Sequence, residues 1–215
     1  MRPLSTFINL SGGVDSTYYL WRWLRENPDE SILVHHCLFL QKRLKEEKNA
    51  CDSILAYLRK EGLTNFEYVE TGMQKGTFQK RTLDIEMLSG MASVIVKAYP
   101  EINTILLPYS KEETADLDNH YKSGEDINTF NPTHRYRKVN QVMELWTERK
   151  FDYLFYREDG GIISKQKMME EMPEELFDMT WYCRRPKNGQ VCGRCHTCKK
   201  VKRAKENLEK SIGKG

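Results

Sequence analysis

The chain has 215 residues, of which 39% are hydrophobic and 30% charged, and its formal net charge at pH 7 is +3. This length suits one α/β domain with a small appendage, and so weak a positive charge does not by itself predict a nucleic-acid-binding protein. The apolar runs are too short to span a bilayer, and the first predicted strand begins so close to Met1 that no secretory signal is expected. We therefore expect a cytoplasmic protein whose six cysteines are thiols or metal ligands and not disulfides.

The N-terminal residues, from Phe7 onward, predict a strand, a glycine turn and a helix. The apolar residues 7–10 lead into the sequence Ser-Gly-Gly-Val-Asp-Ser (residues 11–16), and a helical pattern follows from Thr17. Adjacent glycines let backbone amides come close to a ligand, and the N-terminus of a helix favours an anion. The stretch is not a Walker loop, because no Gly-Lys-Ser/Thr follows the turn. We predict that this turn and its hydroxyl groups hold a phosphate; the alternative is a tight connection without a ligand.

Apolar runs and helical patterns alternate from there to residue 108. Strands are predicted at residues 31–40, 66–70 and 104–108, and helices lie between them, the first of which covers residues 42–61. This alternation predicts a doubly wound, mainly parallel sheet that is covered by helices on both faces. Ligands in such folds bind at the carboxyl ends of the strands, where the glycine turn would lie.

Residues 109–133 break the alternating pattern. They are polar, they contain Gly124 and Pro132, and they leave the carboxyl end of a predicted strand. We predict a substrate-facing lid, with a disordered loop as the alternative. Beyond it, a helix is predicted at residues 134–146, a strand at residues 151–156, and a helix at residues 164–171 with Ser164 as its N-cap.

The C-terminal part contains four cysteines in a spacing typical of a metal site, namely Cys183, Cys192, Cys195 and Cys198. Two Cys-x2-Cys steps can converge on one tetrahedral ion, and thiolates suit Zn²⁺. Four thiolates leave no position for a water molecule, so the predicted site is structural. The alternatives are an iron–sulfur cluster, unrelated free thiols and a nucleic-acid-binding zinc ribbon, the last because basic residues flank the cysteines.

Together the two motifs resemble a known family. Residues 11–16 are similar to the pyrophosphate loop of the N-type ATP pyrophosphatases, which have the adenine nucleotide alpha hydrolase (PP-loop) fold. With the late cysteines, the chain resembles the 7-cyano-7-deazaguanine synthases. Residues 164–168 (Ser-Lys-Gln-Lys-Met), 180–183 (Thr-Trp-Tyr-Cys) and 192–198 (Cys-Gly-Arg-Cys-His-Thr-Cys) are also similar to that family. The chain differs from it around Arg81 and in residues 109–133.

The resemblance implies an ATP-dependent ligase. Such an enzyme adenylates the carboxylate of 7-carboxy-7-deazaguanine, or of a close analogue, and converts it with ammonia to 7-cyano-7-deazaguanine, releasing AMP and pyrophosphate or ADP and phosphate. It implies a PP-loop domain at residues 1–160, a helical segment with a four-cysteine zinc site at residues 161–215, and the cofactors ATP, Mg²⁺ and Zn²⁺. The implied partners are a small deazapurine carboxylate and ammonia, with no direct binding of nucleic acid, and a homodimer is common in the family.

The resemblance and the chemistry of the residues assign roles to individual side chains. The residues expected to bind ATP are Leu10, Ser11, Gly12, Gly13, Val14, Asp15, Ser16, Thr17 and His36. The residues expected to be catalytic are Asp15, Ser16 and Lys165. The residues expected to bind the substrate are Arg81, Tyr109 and Lys111. For three of these the alternatives are structural: Asp15 as a helix cap, Lys165 as a solvated lysine and His36 as a packed strand residue.

Other functions stay open on the sequence alone. One is a PP-loop enzyme that modifies tRNA or another base directly. Another is a divergent homologue that forms a deazapurine amide, or that has kept the fold and lost catalysis.

Overall fold

The chain folds as alternating strands and helices, and the computed structural model describes residues 4–39, 42–73, 84–112, 135–158 and 161–212. In these ranges the strands are β1 (Leu4–Asn9), β2 (Ser31–Phe39), β3 (Phe66–Met73), β4 (Thr104–Leu106), β5 (Asp152–Leu154), β6 (Arg157–Glu158) and β7 (Gly161–Ile162). The helices are α1 (Val14–Glu26), α2 (Leu44–Lys60), α3 (Asp84–Ala98), α4 (Arg135–Thr147), α5 (Lys165–Glu171), α6 (Glu174–Asp178) and α7 (His196–Ile212). Within the same ranges, no helix is both long and apolar enough to cross a membrane.

Five strands form one sheet in the order β3-β2-β1-β4-β5, and each neighbouring pair is parallel. The chain moves outward from β1 to β2 and β3 on one side, and then crosses to β4 and β5 on the other. The strand order therefore reverses between β1 and β4, and open α/β sheets bind ligands at this position, beyond the carboxyl ends of the strands. The predicted doubly wound, parallel α/β fold is confirmed.

Alternate residues of the central strands lie in two hydrophobic cores on opposite faces of the sheet. In β1, Ile8 belongs to one core and Phe7 to the other, and in β2 the same division separates Val34 from Leu33. The first core is completed by α1, α2, α5, α6 and α7, and the second by α3 and α4. Because both faces are buried, apolar residues follow one another in the central strands, as at Phe7-Ile8 and residues 32–34, although their side chains alternate between the faces.

Two strands are shorter in the structure than the sequence predicted. The strand predicted at residues 104–108 is observed only as Thr104–Leu106, because Pro108 has no amide to continue the hydrogen-bond ladder. The strand predicted at residues 151–156 is observed as Asp152–Leu154. There the Tyr156 amide donates to the hydroxyl of Tyr19 at 3.1 Å and does not extend the ladder. Both chain segments therefore leave the sheet early and are free to line its carboxyl edge.

One of the two buried histidines of β2, His35, is held by two polar neighbours. Its Nδ1 lies 2.6 Å from Asn9 Oδ1, and its Nε2 lies 2.8 Å from Thr71 Oγ1. Burial, with a smaller contribution from His36, lowers the pKa of His35 to about 4. His35 is therefore neutral at pH 7.

This shift makes stability depend on pH in a defined direction. Since the pKa of His35 is lower in the folded chain than the ordinary value of about 6.5, its contribution is complete above pH ~6.5 and is lost as the pH falls toward the folded pKa. We expect an NMR titration of the His35 ring to give a pKa near 4. We also expect this group to lower the free energy of unfolding by about 2–3 kcal/mol on acidification to that pH. A ring pKa near the ordinary value would contradict the buried position of His35.

Candidate functional site

The turn after β1 is held together by its own hydroxyl groups. The Ser11 amide donates to Ser16 Oγ at 3.1 Å, and the two serine hydroxyls lie 3.0 Å apart. The Gly13 amide donates to Ser11 Oγ at 3.3 Å, and the Ser16 hydroxyl donates to Gly13 O at 3.3 Å. Gly13 is the N-cap of α1, and the first turn of a helix leaves amides that have no partner within it. A phosphate at this turn would meet such amides and the positive end of the helix dipole.

Gly12 joins the turn to α2. Its φ is +72°, and a Cβ atom at this position would lie 3.0 Å from Ala50 Cβ and 3.1 Å from Glu47 O. Both the backbone conformation and the contact with α2 therefore require glycine.

Replacing Gly12 with alanine is expected to lower the free energy of unfolding by about 2–4 kcal/mol, because the left-handed conformation and the contact with α2 are both penalised. Gly62 is a matched control, since its φ is +78° but a Cβ atom there would meet nothing within 4 Å. For Gly62→Ala we expect a loss of only about 1–2 kcal/mol. Urea denaturation of both variants tests this, and equal losses would show that the turn is not packed against α2 as described.

Two predicted catalytic residues from distant parts of the sequence form an ion pair. Lys165 Nζ contacts Asp15 Oδ1, and the side chains are 2% and 16% exposed, respectively. Asp15 lies in the first turn of α1, and Lys165 is the first residue of α5. Lys165 is therefore not a solvated lysine. Its ammonium group provides positive charge beside the turn, where screening by water is weak.

The start of α5 is fixed by contacts on both sides of Lys165. Ser164 is the N-cap, as predicted, and its Oγ accepts from the Lys167 amide at 3.2 Å. The Glu112 carboxylate accepts from the Lys165 amide at 3.0 and 3.1 Å. Lys200 of α7 donates to the Glu112 carbonyl oxygen at 2.7 Å. The segment that follows β4, the start of α5 and the C-terminal helix are thus joined at one point, next to the buried lysine.

A cavity of about 420 Å³ lies where the strand order reverses. The carboxyl ends of β1, β2 and β4 form its floor, and its walls come from the glycine turn, α3, α4 and residues 181–184. Its volume is within the usual range for small-molecule sites. The predicted site residues that line it are Leu10, Ser11, Gly13, Val14, Asp15, Ser16, His36, Tyr109 and Lys165.

The remaining predicted residues lie elsewhere. Gly12 supports the turn without lining the cavity. Thr17 is fully buried, and its hydroxyl has no hydrogen-bond partner among the described residues. Lys111 is exposed, and its amide donates to Ile163 O at 3.0 Å. Arg81 lies outside the described residues, as does most of the predicted lid, namely residues 113–133.

His36 is one of the residues that line the cavity. Its Nδ1 lies 2.8 Å from the Leu10 carbonyl oxygen, so this nitrogen carries the proton and donates it. Burial lowers the pKa of His36 below its ordinary value, and the ring is neutral at pH 7. In this tautomer Nε2 is an acceptor, and it is buried without a hydrogen-bond partner in the described part of the chain. This nitrogen is therefore an unsatisfied acceptor in a residue that lines the cavity.

The four C-terminal cysteines converge as the sequence predicted. Their sulfur atoms all lie within 4.8 Å of one another, and Cys195 Sγ lies 3.3 Å from Cys198 Sγ. A tetrahedral zinc ion with Zn–S bonds of about 2.3 Å holds its sulfur atoms roughly 3.8 Å apart. The observed spacing therefore fits one tetrahedral ion. A four-iron cluster is larger, since each thiolate binds a different iron atom.

The four-cysteine segment supports the glycine turn directly. The Trp181 amide donates to the Gly12 carbonyl oxygen at 2.7 Å, and Trp181 Nε1 donates to the Cys183 carbonyl oxygen at 3.0 Å. Cys183 also belongs to the cavity wall. Loss of a metal ion from the cysteines would therefore also disturb the glycine turn, because Trp181 and Cys183 connect the two.

Sequence reasoning missed part of the cavity wall. Trp181, Tyr182, Arg184 and Thr197 line the cavity, although none was predicted as a site residue. The similarity of residues 180–183 to the synthase family was the available signal. Their position against the glycine turn depends on the path of α5 and α6, which sequence spacing does not specify.

The solved structures to which this chain is similar include two that are each 12% identical to it. The U34-tRNA thiolase NcsA from Methanococcus maripaludis, with its [4Fe-4S] cluster, is 12% identical over 98% of this chain and 68% of its own, with a TM-score of 0.43. The NMN synthetase from Francisella tularensis is 12% identical over 97% of this chain and 85% of its own, with a TM-score of 0.36. No family model matches the sequence, and no curated protein matches it.

Proposed function

We propose that this chain is an ATP-dependent ligase that activates a carboxylate by transferring AMP to it. The observation that carries the proposal is the Lys165–Asp15 ion pair, which borders a glycine turn at the N-terminus of α1 and lines a cavity at the reversal of the strand order. Amides of the turn, the two serine hydroxyls and a buried ammonium group together suit a polyphosphate. ATP is a substrate in this proposal.

The proposed acid is 7-carboxy-7-deazaguanine or a close analogue, and its support is the resemblance of residues 11–16, 164–168 and 192–198 to the 7-cyano-7-deazaguanine synthases. A carboxylate does not accept ammonia directly, because oxide would have to leave. Attack of the carboxylate on the α-phosphate forms an acyl adenylate and releases pyrophosphate. Ammonia then displaces AMP and gives the amide. The amide oxygen then attacks the α-phosphate of a second ATP and releases pyrophosphate, and loss of AMP together with the two amide protons leaves the nitrile.

The residues of the chain act in this reaction by position and charge and not as nucleophiles. Ser11, Ser16 and amides of the turn hold the β- and γ-phosphates. Asp15 orients Lys165, whose ammonium group stabilises the charge that develops at the α-phosphate. His36, which lines the cavity, is proposed to lie near the adenine.

Two metal ions belong to the proposal. Mg²⁺ would neutralise the phosphates, with Asp15 as the carboxylate of the turn nearest to them. Zn²⁺ would bind Cys183, Cys192, Cys195 and Cys198, and its role is to hold the segment that contacts Gly12. The compact spacing of the sulfur atoms supports a single zinc ion.

Pyrophosphate release tests the proposal. Purified protein, ATP and Mg²⁺ are assayed with 7-carboxy-7-deazaguanine, with and without ammonia, and the product is identified by mass spectrometry. We expect release that depends on the acid, and a nitrile only when ammonia is present. Release that is indifferent to this acid would overturn the substrate assignment. If no acid, amide or RNA supports ATP cleavage, the proposal that this chain is a ligase is wrong.

A further inference from the structure

The charge of the chain is strongly segregated. Residues 181–215 contain eleven lysines and arginines against two glutamates, whereas residues 1–180 contain 23 basic against 29 acidic residues. The net charge of +3 is therefore the sum of +9 on residues 181–215 and −6 on residues 1–180, which we call the body. Charge asymmetry of this size within one chain is typical of a surface that meets a polyanion.

Six of these basic residues form what we call the basic face, namely Arg184, Arg185, Arg194, Lys199, Lys202 and Arg203. All six side chains are exposed. The first four lie within two residues of a cysteine, and the cysteine sulfur atoms lie within 4.8 Å of one another. The last two follow Lys199 on α7 by three and four residues, so they share one side of the helix. That side is opposite the inward row of Cys198, Val201 and Ala204.

The charge of a metal site does not account for the basic face. One zinc ion with four thiolates carries a net charge of −2, which two cations offset. Residues 181–215, in contrast, carry an excess of nine positive charges. Within α7, among the described residues, Lys202 lies 3.8 Å from Glu206 and its side chain is still 74% exposed.

The basic face is continuous with the mouth of the cavity. Arg184 belongs to the basic face and also lines the cavity. Thr197 of α7 is not part of the basic face but lines the cavity as well. Next to Arg184 the cavity wall carries two half-buried aromatic side chains, Trp181 and Tyr182. Positive charge that tracks a backbone, beside aromatic rings on which bases stack, is the combination by which proteins hold single-stranded nucleic acid.

We propose that the basic face docks a single-stranded segment of nucleic acid beside the cavity. The proposal differs from the expectation, drawn from the sequence, that the chain does not bind nucleic acid directly. The binding needs neither ATP nor a deazapurine, so the proposal stands or falls independently of the ligase activity. Duplex DNA hides its bases and offers nothing to Trp181 and Tyr182, so single strands are expected to bind more tightly than duplexes.

Fluorescence anisotropy of a labelled ~20-nucleotide oligouridylate, with the metal-loaded full chain and without ATP, tests the proposal. Contacts with about six phosphates predict a loss of roughly two orders of magnitude in affinity between 50 and 200 mM salt. The variant Lys199→Ala/Lys202→Ala/Arg203→Ala is expected to bind at least ~10-fold more weakly, and the slope of log affinity against log salt concentration is expected to be shallower by about two. The matched control Lys60→Ala/Lys97→Ala/Lys150→Ala removes three exposed lysines of the body and is expected to bind as the unaltered chain does.

Three outcomes would overturn the proposal. The first is no binding of the oligonucleotide at 50 mM salt. The second is equal loss of affinity in the two triple variants, which would show a non-specific effect of net charge. The third is preferential binding to vesicles of phosphatidylserine and phosphatidylcholine, or to polyglutamate, which would assign the face to a membrane or an acidic protein. Metal content and urea denaturation of each variant establish that the changes do not act through unfolding.

Discussion

Replacing Lys165 with methionine is expected to reduce AMP formation from ATP by at least ~100- to 1,000-fold. The ammonium group is 2% exposed and lies at the glycine turn, so no mobile surface lysine can replace it. The change also leaves Asp15 without this partner in a largely buried position, which is expected to lower the free energy of unfolding by about 2–4 kcal/mol. Activity and stability are therefore both expected to fall.

A double variant separates the two effects. Asp15→Asn/Lys165→Met removes both charges, so it is expected to recover much of the stability that either single variant loses, while AMP formation stays low. Lys167→Met is the matched control, because Lys167 lies on the same helix but is 40% exposed, and it is expected to change neither quantity. Urea denaturation and chromatographic detection of AMP are the measurements. Near-normal activity of the double variant would show that the pair is structural and not catalytic.

Replacing Cys195 with serine is expected to remove both the metal ion and a large part of the stability of the C-terminal segment. Structural zinc sites contribute on the order of 10 kcal/mol of apparent binding free energy, and binding is coupled to folding. Because the Trp181 amide donates to Gly12 O, the loss is also expected to reach the glycine turn and to weaken nucleotide binding. The measurements are metal content by mass spectrometry, thermal unfolding and binding of a fluorescent ATP analogue.

Cys37→Ala provides the control for this prediction. Cys37 is also buried, but it lies in β2 and outside the four-cysteine cluster, so the variant is expected to keep its metal. A Cys195→Ser protein that remains folded without metal would contradict a structural site. Loss of the metal with unchanged nucleotide binding would show that the contact between Trp181 and Gly12 does not support the turn.

The fold could be predicted from the sequence because the local patterns for strands and helices agree with the pattern of buried residues. The alternation of apolar strands with amphipathic helices requires a parallel sheet covered on both faces, and the observed order with β1 at the centre is the doubly wound solution. The lengths of β4 and β5 were less predictable. They depend on where Pro108 interrupts the ladder and on the hydrogen bond between Tyr156 and Tyr19, and the latter joins residues distant in sequence.

The candidate site was predictable as a set of residues but not as an arrangement. The glycine turn and the four cysteines have short-range spacing that reports their chemistry. The ion pair between Asp15 and Lys165 and the contact between Trp181 and Gly12 join residues about 150 positions or more apart, which spacing cannot reveal. The contribution of Arg184 to the cavity likewise follows from the path of the chain after α6.

The central claim, transfer of AMP to a carboxylate, can be tested by following oxygen. The purified protein is supplied with ATP, ammonia and 7-carboxy-7-deazaguanine that carries ¹⁸O in both carboxyl oxygens, and the nucleotide and phosphate products are analysed by mass spectrometry. Attack of the carboxylate on the α-phosphate predicts AMP with one ¹⁸O atom and unlabelled pyrophosphate. Label in orthophosphate with formation of ADP, or AMP without label, would contradict activation at the α-phosphate.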